Sequence, residues 1–331
     1  MPERMPQHRP CPADPGRPGD PRGQPPIGID PPSASVGRMT GNRNAEVVLT
    51  GLEAPEGPVC LGSGDVVFTE QVAGQVSRLT ADGLSVVARA PGAWNALALG
   101  SDGHLYGAQN GGVVNDWRSP TPGLPSVQRI GFDGEVETVA TSADGLALRA
   151  PNDLAFGPDG RLYVTDPAEP FDAENAHATA RVFAFDADRG QIVVEAGPTY
   201  TNGIAFLADG RLCWVESYER LIRVRDDEGQ ARTLAILPEG HTPDGMAIAE
   251  DGRLFVASVT SGGITVLSPD GEDLGLIALD EQANPTNLCF DGSTLWVTDF
   301  GAGFTPGAGD GRLWRVETDA RGLALHRGSL P

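Results

Sequence analysis

Short apolar runs alternate with polar turns along nearly the whole chain after residue 40. From Ala150 the sequence reads APNDLAFGPDGRLYVTD, in which two apolar runs flank an Asp-Gly pair. Such a pair between β-prone runs predicts a hairpin, because Gly accepts the positive φ that a tight turn requires. No window has the 3.6-residue period of an amphipathic helix, so we predict an all-β protein.

The same strand–turn–strand segment occurs six times. The six segments begin at Ala54, Gly92, Ala150, Thr201, Pro243 and Pro285. Repeats of about 40 to 50 residues that each form one supersecondary unit are typical of closed arrays. Six units of about four short strands predict a six-bladed β-propeller over residues 41–331. A strand near Val47 and Val48 is placed to complete the last blade and close the ring.

Residues 1–40 have a different composition from the rest of the chain. They contain 11 of the 28 prolines and almost no large apolar side chains. Such a segment buries too little apolar surface to offset the entropy lost on ordering. We therefore expect a disordered, Pro-rich tail, with Met39 as an alternative start of the chain.

The charge of the chain bears on its partners and its location. Lys and Arg together number 24 against 45 Asp and Glu, a formal net charge of −21. This acidity repels phosphate backbones and anionic membranes, so neither a nucleic acid nor a membrane is an expected partner. The sequence also lacks a membrane-length apolar stretch and the apolar core of a secretory signal. We expect a cytoplasmic protein, and a monomer because closed propellers have no free sheet edges.

Several classes of catalytic site are excluded by missing motifs. The four cysteines form no CxxC pair and no His/Cys cluster, so neither a zinc site nor a disulfide framework is predicted. A G-x-S-x-G turn, a Walker loop and a dinucleotide fingerprint are absent. All the basic residues are Arg, which excludes a Schiff-base lysine.

A polar residue opens each of the six repeats. These residues are Glu56, Asn95, Asn152, Asn202, Asp244 and Thr286. If the repeats close into a ring, the six side chains meet at one mouth of the central channel. Carboxylate and amide oxygens suit a hard divalent cation such as Ca²⁺, Mg²⁺ or Mn²⁺. The competing interpretation is that Asn and Asp serve here as turn formers.

The repeats also resemble a known family. EGP at Glu56, PND at Asn152, TNG at Asn202 and PDGMAI at Asp244 are similar to motifs of the SMP-30/gluconolactonase family, over about residues 45–320. The resemblance implies a six-bladed propeller with one divalent cation on its axis, Ca²⁺ by preference and Mg²⁺, Mn²⁺ or Zn²⁺ as alternatives. Glu56, Asn202 and Asp244 match the family's metal ligands, and Asp244 also matches its proposed general base. Asn152 matches an asparagine that binds substrate or, in some relatives, the metal.

The match departs from the family at one substrate-binding position. Some sugar lactonases have an arginine two residues before the position of Asn152, where this chain has Ala150. Arg149 is the neighbouring candidate for that role. Asn95 matches a polar substrate-side residue of bacterial members, and His241 is a candidate to assist proton transfer.

The resulting functional hypothesis is a metal-dependent lactonase that acts on a small lactone or ester. The cation would polarise the carbonyl and Asp244 would act as general base. The alternatives are a phosphotriesterase-type hydrolase at the same site, a metal-free strictosidine-synthase-like enzyme and a non-catalytic NHL- or WD-type interaction propeller. Candidate aromatic walls for the substrate pocket are Trp94, Trp117, Phe171 and Phe304.

Overall fold

The computed structural model describes residues 44–62, 64–174, 176–302 and 305–331. The predicted disorder of residues 1–40 lies outside this part of the chain. None of the described residues is in an α-helix, and the all-β prediction is confirmed. No helix among them is long and apolar enough to cross a membrane.

Six four-stranded antiparallel sheets form the blades of a β-propeller, as predicted. Blade 1 consists of β2 (Pro55–Gly62), β3 (Asp65–Glu70), β4 (Gln75–Thr80) and β5 (Gly83–Arg89). Blade 2 consists of β6 (Trp94–Leu99), β7 (Leu105–Gln109), β10 (Ser126–Ile130) and β11 (Val136–Ala140). Blade 3 consists of β14 (Leu154–Phe156), β15 (Leu162–Asp166), β16 (Ala180–Phe185) and β17 (Gly190–Gly197). Blade 4 consists of β18 (Thr201–Phe206), β19 (Leu212–Glu216), β20 (Leu221–Arg225) and β21 (Ala231–Ile236). Blade 5 consists of β22 (Pro243–Ile248), β23 (Leu254–Ser258), β24 (Gly263–Leu267) and β25 (Asp273–Ala278).

Blade 6 combines the two ends of the folded chain. It is built from β26 (Pro285–Asp291), β27 (Thr294–Asp299), β28 (Gly311–Glu317) and β1 (Ala45–Leu52). β1 pairs with β28 in antiparallel register, with Val47 opposite Trp314. The N-terminal strand therefore closes the ring, as the sequence predicted.

Two small hairpins interrupt the repeat. They are β8 (Val113–Val114) with β9 (Trp117–Arg118), and β12 (Ser142–Ala143) with β13 (Leu146–Ala147). The predicted Asp-Gly turns are present within the blades. Gly160, for example, has a φ of +79° between β14 and β15, a conformation that disfavours residues with a Cβ.

The first strand of each blade contacts the first strand of the next, and β26 contacts β2. These six strands therefore form a closed inner ring. Six apolar clusters fill the six junctions between adjacent blades in the described residues. The junction between blades 6 and 1 buries Leu49, Phe68 and Leu313, for example. Burial between blades, as well as strand pairing, holds the inner strands and their polar ends in place.

The segment after β28 runs along the far ends of the inner strands. Leu323 donates its backbone N–H to Ile248 in blade 5, and Leu330 exchanges two hydrogen bonds with the hydroxyl of Tyr106 in blade 2. Residues 323–327 line a cavity together with later residues of the inner strands. The wall of this cavity also includes Asp153 and Asn287, the residues that follow the opening positions of blades 3 and 6.

Candidate metal centre

The inner strands begin beside a single cavity of about 180 Å³. Five of the six opening residues line it, one from each of blades 1 to 5, and all five are buried: Glu56, Asn95, Asn152, Asn202 and Asp244. The sixth, Thr286, donates its hydroxyl to the carbonyl oxygen of Pro55 at 3.1 Å and is not part of the wall. Closure of the ring thus brings together side chains that lie up to 188 residues apart in sequence.

The inner strands are irregular where these residues lie. Strand pairing shifts register between Glu56 and Val59 in blade 1 and between Pro243 and Met246 in blade 5. Blades 2, 4 and 6 have a similar shift at the same point. A bulge breaks the strict alternation of side chains between the two faces of a strand. Two consecutive residues can therefore both face the channel.

Glu56 is a buried acid whose charge interacts with the charges of two other acids. Its carboxylate accepts the backbone N–H of Gly57 at 2.5 Å and a hydrogen bond from the Asn287 side chain. Burial raises the pKa of Glu56 well above its usual range, and the charges of Asp244 and Asp153 raise it further. A cation placed among these carboxylates would relieve their repulsion.

Asp244 is the second carboxylate of the cavity wall. Burial raises its pKa well above the usual range, the charge of Asp153 adds to the rise, and a hydrogen bond from Asn202 opposes it. Asn202 is fixed in turn, because its Nδ2 donates to Oγ of Ser217 at 3.2 Å and that hydroxyl donates to the carbonyl oxygen of Pro243 at 2.7 Å. The neighbouring side chains therefore hold Asp244 and Asn202 beside each other.

Asn152 has one satisfied and one unsatisfied polar atom. Its Nδ2 donates to the hydroxyl of Tyr200 at 3.3 Å, whereas its Oδ1 is buried without a hydrogen-bond partner. Leaving a buried acceptor unpaired costs about 1–3 kcal/mol. A ligand that accepts electron density from this oxygen would remove that cost.

The donors of the cavity fit a hard divalent cation, which binds carboxylate and amide oxygens. Among the described residues, no group of three or more His, Cys, Asp and Glu side chains could hold a metal ion by itself. A cation here would therefore need amide oxygens as well as carboxylates. The unpartnered Oδ1 of Asn152 meets that need directly.

A second layer of polar residues, not predicted from the sequence, connects blades 3 and 6. Nδ2 of Asn287 donates to Oδ2 of Asp153 at 3.3 Å, and the backbone N–H of Leu154 donates to Oδ1 at 2.7 Å. Burial raises the pKa of Asp153 to about 6. The opening residues include two acids, Glu56 and Asp244, and Asp153 behind them is a third buried acid whose charge raises the pKa of both.

A sequence signal for this layer exists. Asp153 and Asn287 each directly follow an opening residue, and the other four repeats have Gly or Ala at that position. The small residues make room for the two larger side chains. A Cβ on Gly245, for example, would lie 2.1 Å from Oδ1 of Asn287.

Two of the predicted site residues lie away from the cavity wall. Arg149 is exposed, and its backbone N–H donates to Asp166 at 2.8 Å. His241 is half-buried, with its Nδ1 2.9 Å from Oγ1 of Thr265 within blade 5. Neither lines the cavity, so the roles predicted for them have no support from their positions.

Of the aromatic candidates, Phe171 lines the cavity. Trp94 is instead fully buried in the junction of blades 1 and 2, where its Nε1 donates to Gln128 at 2.7 Å. Trp117 packs beside the cavity against a small apolar cluster that includes Phe300. Phe304 lies outside the described residues. Tyr200, which was not predicted from the sequence, also lines the wall.

Comparisons with known proteins agree with this architecture. A sequence model described as the SMP-30/Gluconolactonase/LRE-like region matches residues 54–301. Gluconolactonase from Zymomonas mobilis subsp. mobilis is 27% identical over 293 residues, covering 76% of this chain and 78% of that protein. Diisopropyl-fluorophosphatase from Loligo vulgaris is 30% identical over 187 residues, covering 50% of this chain and 60% of that protein.

A solved structure shares the fold at low sequence identity. Regucalcin from Agrobacterium tumefaciens, described as a calcium-binding protein, has a TM-score of 0.69 and 16% identity, covering 84% of this chain and 95% of that chain. The match of the sequence model spans five of the six blades and every opening residue of the repeats. The chain therefore belongs to the SMP-30/gluconolactonase/LRE-like family.

Proposed function

We propose that this protein is a metal-dependent hydrolase that opens a lactone, with one divalent cation held by Glu56, Asn152, Asn202 and Asp244. The observation that carries the proposal is the cavity in which two buried carboxylates and three amides from five blades converge. Family membership and the 27% identical gluconolactonase support a lactone as substrate. The oxygen donors, and the calcium-binding protein of the same fold, support Ca²⁺ as the cation.

When bound, the cation would supply Lewis acidity that polarises the lactone carbonyl and stabilises the charge growing on its oxygen. Asp244 accepts a proton from the attacking water, the role of a general base. The water oxygen bonds to the carbonyl carbon, the ring C–O bond breaks, and the proton passes to the ring oxygen. The product is an open-chain hydroxy acid.

The other residues of the wall position the reacting groups. Asn202 holds Asp244 through a hydrogen bond, and Asn287 holds Glu56 in the same way. Asn95 and Asn152 offer amide groups on the same wall and are proposed to bind the substrate. Arg149 and His241 do not line the cavity and take no step in this proposal.

The test is hydrolysis of D-glucono-1,5-lactone and γ-butyrolactone by the full-length protein. Protein stripped with EDTA is assayed alone and after addition of Ca²⁺, Mg²⁺, Mn²⁺ or Zn²⁺, with a pH indicator that reports the acid produced. We expect activity to return with a divalent cation. Asp244→Asn should lower kcat by about 10²- to 10⁴-fold, the usual contribution of a general base.

The matched control is Asp319→Asn, because the side chain of Asp319 is 83% exposed and pairs with Arg253 at the surface. This variant should retain wild-type kcat. Full activity of Asp244→Asn, or lactone hydrolysis that survives EDTA, would contradict the proposed mechanism. Circular dichroism spectra of both variants establish that any loss of activity is not a loss of fold.

A second candidate is hydrolysis of a phosphorus ester, favoured by the 30% identity to diisopropyl-fluorophosphatase over half of this chain. Fluoride release from diisopropyl fluorophosphate, compared with lactone hydrolysis as kcat/KM, decides between the two activities. An interaction propeller without chemistry is disfavoured, because it gives no reason to bury three acids together. The monomeric state and cytoplasmic location remain predictions.

A further inference from the structure

The charges of the cavity restrict the substrates that it can bind. Among the described residues of its wall, Glu56 and Asp244 are the charged ones, and both are acidic. The guanidinium of Arg118, which lies beside the wall residue Asn115, donates to the backbone carbonyls of Asn115 and Trp117. Arg149 is exposed and does not line the cavity. The described wall therefore offers no side-chain cation to a phosphate or carboxylate on the substrate.

One side of the cavity is an aromatic wall. Phe171 contacts Tyr200 and Tyr218, with ring centroids 5.0 Å and 5.1 Å away, and Tyr200 reaches Asn152 through its hydroxyl. Phe171 is 38% exposed and lines the cavity. Part of its phenyl group therefore faces the space beside the polar side chains of Asn152 and Asp244. An apolar group bound there would remove this ring surface from water.

The aromatic wall is anchored in place by hydrogen bonds. The backbone N–H of Asp172 donates to the hydroxyl of Tyr218 at 2.9 Å, and the backbone N–H of Ala168 donates to Asp166 at 2.7 Å. These bonds fix the chain on both sides of Phe171. Val114 and Phe300 add apolar surface elsewhere on the cavity wall. The cavity thus combines a polar ring with a preformed apolar side.

We propose that the preferred substrate is an uncharged lactone with an alkyl substituent that packs against Phe171, and not a polyhydroxylated or phosphorylated sugar lactone. This inference depends on the proposed function, since it specifies the substrate of the same site. The lactone ring lies among the polar side chains of the cavity, beside Asn152 and Asp244. The alkyl chain lies along the aromatic wall. The hydrolysis step is unchanged.

The test is a series of lactones of increasing chain length, assayed with the full-length protein in Ca²⁺. The series is γ-butyrolactone, γ-hexalactone and γ-octalactone, compared with D-glucono-1,5-lactone and its 6-phosphate. In the wild-type protein we expect kcat/KM to rise about fourfold per methylene while the chain stays within the cavity, the factor that corresponds to burying one CH₂. The 6-phosphate should be the poorest substrate of the set.

Phe171→Ala should flatten this dependence on chain length. Phe132→Ala is the matched control, because Phe132 is 39% exposed and lies away from the cavity, under the guanidinium of Arg78. This variant should keep the wild-type dependence.

A wild-type kcat/KM that does not rise with chain length, or that is highest for a sugar lactone, overturns this inference and leaves the lactonase proposal standing. Retention of the full dependence in Phe171→Ala overturns the role of the aromatic wall. If the wild-type protein hydrolyses none of the lactones with any of the four cations, the proposed lactonase function itself is refuted. The wild-type series by itself can refute the substrate preference, so this part of the test does not depend on the folding of a variant.

Discussion

Calcium should stabilise this protein, because its two positive charges would offset most of the repulsion among three buried carboxylates. The pKa values of Glu56, Asp244 and Asp153 are all raised, chiefly by burial, and the neighbouring acids raise those of Glu56 and Asp244 further. A raised pKa means that the charged form of a carboxyl group costs free energy in the folded protein. A ligand that binds the folded state at 100 times its Kd adds about 2.7 kcal/mol to the free energy of unfolding.

The size of the folded part converts this free energy into a melting temperature. The entropy of unfolding is about 2.1 cal/mol/K per residue, which gives about 0.6 kcal/mol/K for the roughly 280 described residues. The expected rise in Tm is therefore about 4–5 °C. Differential scanning calorimetry of EDTA-treated protein, with Ca²⁺ added back in steps, measures this rise and gives the Kd from its concentration dependence.

Glu56→Gln separates binding at this centre from a general effect of calcium on an acidic protein. Removing one of the repelling carboxylates should leave the metal-free Tm at or above that of the wild type and abolish the rise with Ca²⁺. Glu317→Gln, an exposed glutamate on β28, should keep the full rise. An undiminished rise in Glu56→Gln, or no rise in the wild type at millimolar Ca²⁺, would refute the assignment of the centre.

Two further substitutions test the architecture. Asp299→Ala should lower the free energy of unfolding by about 3–5 kcal/mol, because it leaves a buried charge without its partner. The fully buried Asp299 pairs with Arg312 at 2.8 Å and accepts a hydrogen bond from Nε1 of Trp314 at 2.7 Å. Leu49→Ala on the closing strand β1 should cost about 2–5 kcal/mol. Urea unfolding measures both, with the exposed Leu325→Ala as control, and near-wild-type stability of Leu49→Ala would contradict the closure of the ring by β1.

The resemblance to a family and the repeat pattern led to the same architecture from the sequence. Asp-Gly turns at a regular spacing predicted the hairpins, and six repeats predicted six blades. In a closed ring of repeats, residues at equivalent positions of the repeats lie at the same height around one axis. For that reason the sequence also located the cavity, through Glu56, Asn152 and Asp244.

Other features of the centre depend on contacts between blades, which a repeat pattern does not contain. Asn287 follows a shift of register between β26 and β27, and Asp153 lies just before β14 begins, so strict strand alternation does not set the direction of either side chain. Arg149 and His241 were near the right positions in sequence, but their side chains do not line the cavity.

The sequence by itself thus determined the number of blades and five of the residues that meet at the channel mouth, because repetition places equivalent positions at one end of the channel. It allowed a strand near Val47 to close the ring, and the pairing of β1 with β28 decided this. The tertiary structure decided which other side chains lie beside these residues at the cavity. Phe171 comes from an insertion with no counterpart in the other repeats, and its position against Tyr200 and Tyr218 follows from packing between blades 3 and 4. Side chains from different blades meet through such packing, and the pattern within one repeat does not encode it.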